Sequence, residues 1–110
     1  MPEDRESRIA ALFQSYRESL PPAVLELESL WAQLEKGWDI EVAAEFDRKA
    51  HNLAGSAATF DLVEVGSTAR ELENTFKPLL ESEYNRSDAR WPDSQQLLVS
   101  LREMIDALSA

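Results

Sequence analysis

The chain lacks cysteine altogether and has only three glycines and one histidine among its 110 residues. Without cysteine, disulfides, zinc–thiolate sites, iron–sulfur clusters and thiol nucleophiles are excluded, and a cytoplasmic location is favoured. Because glycine is scarce and Leu, Ala and Glu dominate, the composition favours long helices with few turns. An all-α fold is therefore the first expectation.

Long apolar runs and clustered positive charges are also missing. No run approaches the roughly 18 apolar residues that cross a bilayer, and the charged residues 1–6 do not resemble a signal peptide. The net charge of −10 would repel a phosphodiester backbone. We expect residues 1–110 to form one monomeric cytoplasmic domain that binds neither membranes nor nucleic acid.

Apolar residues recur every three and four positions, which is the pattern of amphipathic helices. A first seam stops at Pro21-Pro22, which predicts the end of an N-terminal helix. Four longer seams follow and predict an antiparallel four-helix bundle, with the first segment as an additional N-terminal helix or helical segment that either leads into the next helix or lies across one end of the bundle. The four seams start at Val24, Ala43, Leu62 and Leu97.

Capping signals mark the predicted helix boundaries. Gly37 is placed to end one helix and Asp39 to cap the next. Asp61 followed by Glu64 resembles a capping box, which predicts that a new helix begins at Asp61.

The C-terminal third contains a proline, a polar stretch and a last apolar seam. Pro78 is expected to end or kink its helix because it supplies no amide donor. The polar residues from Glu81 to Asp88 are predicted to be a loop, and the last helix to span about residues 93–108.

His51 is the single histidine. At about 100° per residue, its side chain points about 140° away from the apolar seam of its predicted helix, toward solvent. Its solvent-side neighbours are Ala44, Arg48, Gly55 and Ala58, three of which are small. Glycine inside a helix costs about 1 kcal/mol relative to alanine, a cost that close approach by a partner would offset. A chance cluster of small residues is the alternative.

The segment around this histidine, residues 50–58, reads AHNLAGSAA and resembles the signature His-x-Leu-Lys-Gly-Ser-Ala of histidine-containing phosphotransfer (Hpt) domains. Glu71-Leu72-Glu73 matches the Leu-Glu of the family's following helix, so the resemblance covers roughly residues 9–80. It implies that His51 accepts a phosphoryl group from an aspartyl phosphate on one receiver domain and passes it to an aspartate on another. The implied partners are receiver domains of response regulators or hybrid histidine kinases.

The chemistry of the residue type agrees with that implication, because a neutral imidazole is a competent nucleophile and forms a labile phosphoramidate. The sequence has no glycine-rich phosphate loop and no kinase signature. We therefore expect a phosphoryl carrier without autonomous kinase activity. The chain itself is expected to bind no cofactor, with magnesium held by the partner receiver domain, and no metal, since one histidine and no cysteine leave only carboxylate ligands.

Two positions depart from the family pattern. Ala54 replaces a lysine that usually helps to neutralise the phosphoryl group, and Arg48, one turn before His51, is the first candidate to replace it, with Lys49 second. Asp61 stands where the family typically has glycine, and is interpreted as a helix cap.

Further candidates lie close to His51 along the chain. Asp47, one turn away, is a possible acceptor for Nδ1 that would leave Nε2 reactive, with a solvated carboxylate as the alternative.

The alternative function is a non-catalytic adaptor bundle that binds a receiver or another signalling partner. The presence of Ala54 in place of the usual lysine favours this alternative. The docking-face candidates are Ala44, Asn52, Ala54, Gly55 and Ala58.

Overall fold

The computed structural model describes residues 4–81 and 88–109. These residues form a ring of helices in which each helix packs against two others, with the most extensive contact between the second and the third. Short connections at residues 37–39 and 60–62 make consecutive helices antiparallel. The predicted all-α bundle is confirmed. Its helices are α1 (Arg5–Lys36), α2 (Ile40–Thr59), α3 (Val63–Glu81) and α4 (Arg90–Leu108).

Helix α1 passes through Pro21-Pro22, so the predicted end of a helix at these prolines is wrong, and the N-terminal segment leads directly into the next helical segment. Two interior prolines cost about 3 kcal/mol each because they remove amide donors and crowd the preceding turn. Each buried aliphatic side chain returns about 1.5–3 kcal/mol, and Leu20, just before the prolines, is buried like Val24 and Leu27 after them. The buried residues of α1 are Leu20, Val24, Leu27, Trp31 and Leu34.

The boundary between α1 and α2 follows the prediction. Gly37 lies just after α1, in extended conformation, and its amide donates to the carbonyl of Gln33. The side chain of Asp39 then accepts from the amides of Glu41 and Val42, at 2.9 Å and 3.4 Å. These bonds satisfy amides that have no partner inside the helix.

Asp61 does not begin a helix; it ends α2. Helix α3 starts at Val63, and Asp61 has a φ of 61°, in the left-handed region. The amide of Leu62 donates to the carbonyl of Ala57 at 2.9 Å, which closes a turn of the type that commonly terminates helices. The interpretation of Asp61 as the cap of α3 is therefore wrong. The left-handed conformation gives a physical reason for the glycine that is typical at this position.

Asp61→Gly is expected to raise the free energy of unfolding by about 0.5–1 kcal/mol, because glycine adopts a positive φ without the steric cost of a Cβ atom. Asp61→Ala, which cannot hydrogen-bond locally, should lower it. Urea denaturation of the three proteins measures both changes. A loss of stability in Asp61→Gly would instead indicate that the carboxylate acts as a cap.

The C-terminal third follows the sequence prediction only in part. Helix α3 continues beyond Pro78 to Glu81, so the proline does not end it there. Asp88 accepts from the amide of Arg90 at 2.9 Å, and α4 begins at Arg90, three residues before its predicted start. The predicted loop at 81–88 lies mostly in residues 82–87, outside the described residues.

Helices α2 and α3 approach closely at Gly66. A Cβ atom on Gly66 would lie 3.4 Å from the carbonyl oxygen of Ala54 and from the amide nitrogen of Ala58. Small residues on both helices therefore bring the two backbones together. This close packing determines which side chains of α3 face His51 on α2.

Candidate functional site

His51 lies on α2 with its side chain 64% exposed. Its neighbours Ala50 and Leu53 point the other way, into the core. The Nδ1 atom lies 2.8 Å from Oε2 of Glu73, a hydrogen-bonding distance between residues 22 positions apart. This contact directs one ring nitrogen toward α3 and leaves Nε2 available for bond formation.

Glu73 is a buried carboxylate, with only 8% of its side chain exposed. It lies on the buried face of α3, four residues after Ala69 and three before Phe76, both of which are fully buried. A buried charge is costly unless it is paired. The hydrogen bond to His51 supplies one partner, so the fold accommodates Glu73 where it can hold the imidazole.

The prediction that Asp47 orients Nδ1 is wrong, because Glu73 occupies that position. Asp47 is half-buried, and within the described parts of the chain no hydrogen-bond partner exists for its buried Oδ1. Burial raises the pKa of Asp47, an effect that the nearby Lys77 opposes and Glu73 reinforces. Asp47 is therefore part of the charged cluster beside His51 without touching the ring through a hydrogen bond.

Glu73 belongs to the Leu-Glu pair that resembles the family, but the sequence predicted no role for it. A helical wheel of α2 contains only residues of α2, so an acceptor contributed by α3 is invisible to it. One signal was present: a glutamate on the apolar seam of its helix, between Ala69 and Phe76. A carboxylate at such a position implies a buried partner across the helix interface.

The two predicted cations are engaged with other carboxylates. Arg48 pairs with Glu45 one turn earlier on α2. Lys49 bridges α2 to α1 through Glu26, with 2.5 Å between Nζ and the carboxylate oxygen, and also lies near Glu45. Their roles as phosphoryl-neutralising groups stay predictions. The ammonium that shares a carboxylate with His51 belongs instead to Lys77 of α3.

The surface around His51 is built of small side chains, as predicted, with one exception. Ala44, Asn52, Gly55 and Ala58 are exposed, and nothing lies within 4 Å of the position where Gly55 would carry a Cβ atom. Ala54 is only 1% exposed and belongs to the core, so its assignment to the docking face is wrong. A lysine at this position would have to extend its stem from the core to reach solvent.

Ser56 fixes α2 against α1 below this surface. Its hydroxyl lies 2.7 Å from the hydroxyl of Tyr16 and 3.3 Å from the carbonyl oxygen of Leu53. Burial raises the pKa of Tyr16, so the phenol keeps its proton at neutral pH and can donate it. Tyr16 also stacks on Phe60, with ring centroids 4.2 Å apart. The hydrogen bonds of the motif's serine therefore hold α2 against α1.

The sequence model of the Hpt domain family matches residues 11–110. The chain belongs to the Hpt domain family. No curated protein and no solved structure gives a significant match to it. The family match includes α4, which lies beyond the part of the chain covered by the motif resemblance.

Membership in the Hpt domain family implies a general function. Hpt domains perform histidine phosphotransfer in two-component signalling and interact with receiver domains in phosphorelays. Within the described ranges, none of the helices of this Hpt domain is both long and apolar enough to cross a membrane.

Proposed function

We propose that this Hpt domain relays a phosphoryl group between receiver-domain aspartates through His51. The observation that carries the proposal is an exposed imidazole whose Nδ1 is held by a buried carboxylate on the neighbouring helix. A nucleophile must be reachable by a bulky partner and must present a defined lone pair. Both conditions are met at Nε2 of His51.

No proton has to leave the site during the transfer step. The lone pair of Nε2 attacks the phosphorus of the receiver's aspartyl phosphate, an N–P bond forms, and the P–O bond breaks with its electrons going to the aspartate carboxylate. The proton on Nδ1 stays in its hydrogen bond to Glu73, whose negative charge compensates the positive charge that develops on the ring. Reversal of the same step passes the group to a second receiver.

The receiver domain supplies the remaining chemistry in this proposal. Its magnesium ion would neutralise the phosphoryl oxygens during transfer. The Hpt domain contributes the nucleophile and a surface of small side chains above Gly55, where a partner can come close to α2. This division of labour agrees with the absence of a phosphate-binding loop in the sequence.

The proposal is tested by incubating the protein with phosphorylated receiver domains from the same cell. We expect label to appear on the Hpt domain, stable in alkali and lost in acid, as a phosphoramidate requires, and to pass to a second, unphosphorylated receiver. Binding of receivers without any label would contradict the proposal and favour the non-catalytic adaptor.

Glu73→Ala is expected to slow transfer from a phosphorylated receiver about tenfold to a hundredfold, because the ring loses the partner that fixes its tautomer and orientation. Glu73→Gln keeps a hydrogen-bond acceptor without the charge, so it should slow this transfer less than Glu73→Ala does. Glu71→Ala is the matched control, since Glu71 is exposed on the same helix. Equal rates in all four proteins would refute the positioning role of Glu73.

A further inference from the structure

Two pairs of ionisable residues face each other across the α2–α3 interface at the candidate site. His51 and Glu73 form the first pair, with 2.8 Å between Nδ1 and Oε2. Asp47 lies one turn before His51 on α2, and Lys77 lies one turn after Glu73 on α3. Because the helices are antiparallel, these two turns adjoin, and the ammonium of Lys77 acts on the carboxylate of Asp47.

Lys77 is joined directly to the acceptor of His51. Its Nζ lies 3.9 Å from Oε2 of Glu73, the same oxygen that contacts Nδ1. One carboxylate oxygen therefore lies between the imidazole and the ammonium. The distance is long for a hydrogen bond, and the lysine side chain is 48% exposed, so its head group is only loosely held.

We propose that Lys77 is the cation that neutralises the phosphoryl group on His51, in place of the lysine that the family usually has at position 54. This inference rests on the proposed role of His51. Arg48 and Lys49 are paired with carboxylates that do not touch the imidazole. The ammonium of Lys77, by contrast, shares the carboxylate of Glu73 with the imidazole.

Phosphorylation changes where the ammonium is most strongly attracted. A phosphoryl group on Nε2 carries close to two negative charges at neutral pH, whereas the charge of Glu73 is shared with the imidazole. The four-carbon stem of lysine is flexible, and half of the side chain already lies in solvent. The ammonium then moves from Glu73 to the phosphoryl oxygens, and Glu73 remains paired with Nδ1.

The measurement that isolates this role is the equilibrium constant for phosphoryl exchange between the free receiver and the free Hpt domain. A contact that only improves docking changes the rates in both directions and leaves this constant unchanged. A contact with the phosphoryl group on the Hpt domain shifts it. We expect Lys77→Gln to lower the constant about tenfold, the value of one charge-assisted hydrogen bond, and Lys77→Arg to restore most of it.

Arg70→Gln is the matched control, because it removes one exposed positive charge from the same helix, α3. It should leave the equilibrium constant within about twofold of the wild type, since salt screens exposed charges that do not contact the phosphoryl group. Arg48→Gln tests the rival assignment made from the sequence, and we expect a smaller drop for it than for Lys77→Gln. An unchanged constant in Lys77→Gln, or a larger drop in Arg48→Gln, would overturn the assignment of Lys77.

The same experiment separates this inference from the proposed function. If the wild-type protein accepts no label from any receiver, nor from phosphoramidate as a small phosphoryl donor, the role of His51 fails. If the wild type is labelled and Lys77→Gln behaves identically, only the role of Lys77 fails. Circular dichroism and thermal unfolding of Lys77→Gln should match the wild type, since its side chain is half exposed.

Discussion

His51→Gln is expected to abolish phosphorylation of the Hpt domain, with a loss of at least about 10³-fold in the rate of transfer from a phosphorylated receiver. Glutamine has a similar reach and can still hydrogen-bond to Glu73, but its amide nitrogen has no free lone pair to attack phosphorus. The substitution therefore removes the nucleophile and retains the surroundings. Radiolabel transfer followed by gel electrophoresis measures the loss.

The fold should survive this substitution, because the histidine side chain is 64% exposed and contributes little apolar burial. Unchanged thermal unfolding and retained binding to the receiver would show that the variant is native. Residual acid-labile label in the variant would mean that another side chain accepts the phosphoryl group. That result would contradict the assignment of His51.

Phe76→Ala is expected to lower the free energy of unfolding by about 3–5 kcal/mol, because it leaves a large cavity in a closely packed core. Phe76 is fully buried on α3. Its ring lies 4.6 Å from that of Phe46 and 6.2 Å from those of Trp31 and Trp38, measured between centroids. A domain of this size has a total stability of about 5–15 kcal/mol, so the loss is a large fraction of the whole.

Urea denaturation followed by tryptophan fluorescence measures this change, with Phe13→Ala as the control. Phe13 is only half-buried and contacts Phe60 edge-on at the outer part of α1. Phe13→Ala should lower the free energy of unfolding by only about 1 kcal/mol. A similar small cost for Phe76→Ala would contradict the packing described for the α2–α3 interface.

The substitution Phe76→Ala should also affect the site around His51, because Phe76 lies between Glu73 and Lys77 in the sequence of α3. Loss of its ring loosens the contact that brings Glu73 to His51. Phe76→Ala is therefore expected to slow phosphoryl transfer even at temperatures where the protein remains folded. Positioning of the acceptor depends on the packing of α2 against α3 as well as on the residue itself.

The amino-acid sequence by itself determined the helical nature of the chain and the solvent-facing direction of His51. Both follow from apolar residues spaced three and four apart, a property of one helix that needs no knowledge of its neighbours. The exposure of Ala44, Gly55 and Ala58 followed from the same wheel. The start of α2 directly after its cap, Asp39, also followed, because capping is a local hydrogen bond.

The tertiary structure decided the features that depend on contacts between helices. The continuity of α1 through Pro21-Pro22 needed the burial of the apolar residues from Leu20 to Leu34 to outweigh the local cost of proline. Asp61 took a left-handed conformation because α2 must end where α3 turns back. Above all, the register of α3 against α2 placed Glu73 beside Nδ1 and Lys77 beside Glu73. No periodicity within a single helix contains that register, and the chemistry proposed for His51 depends on it.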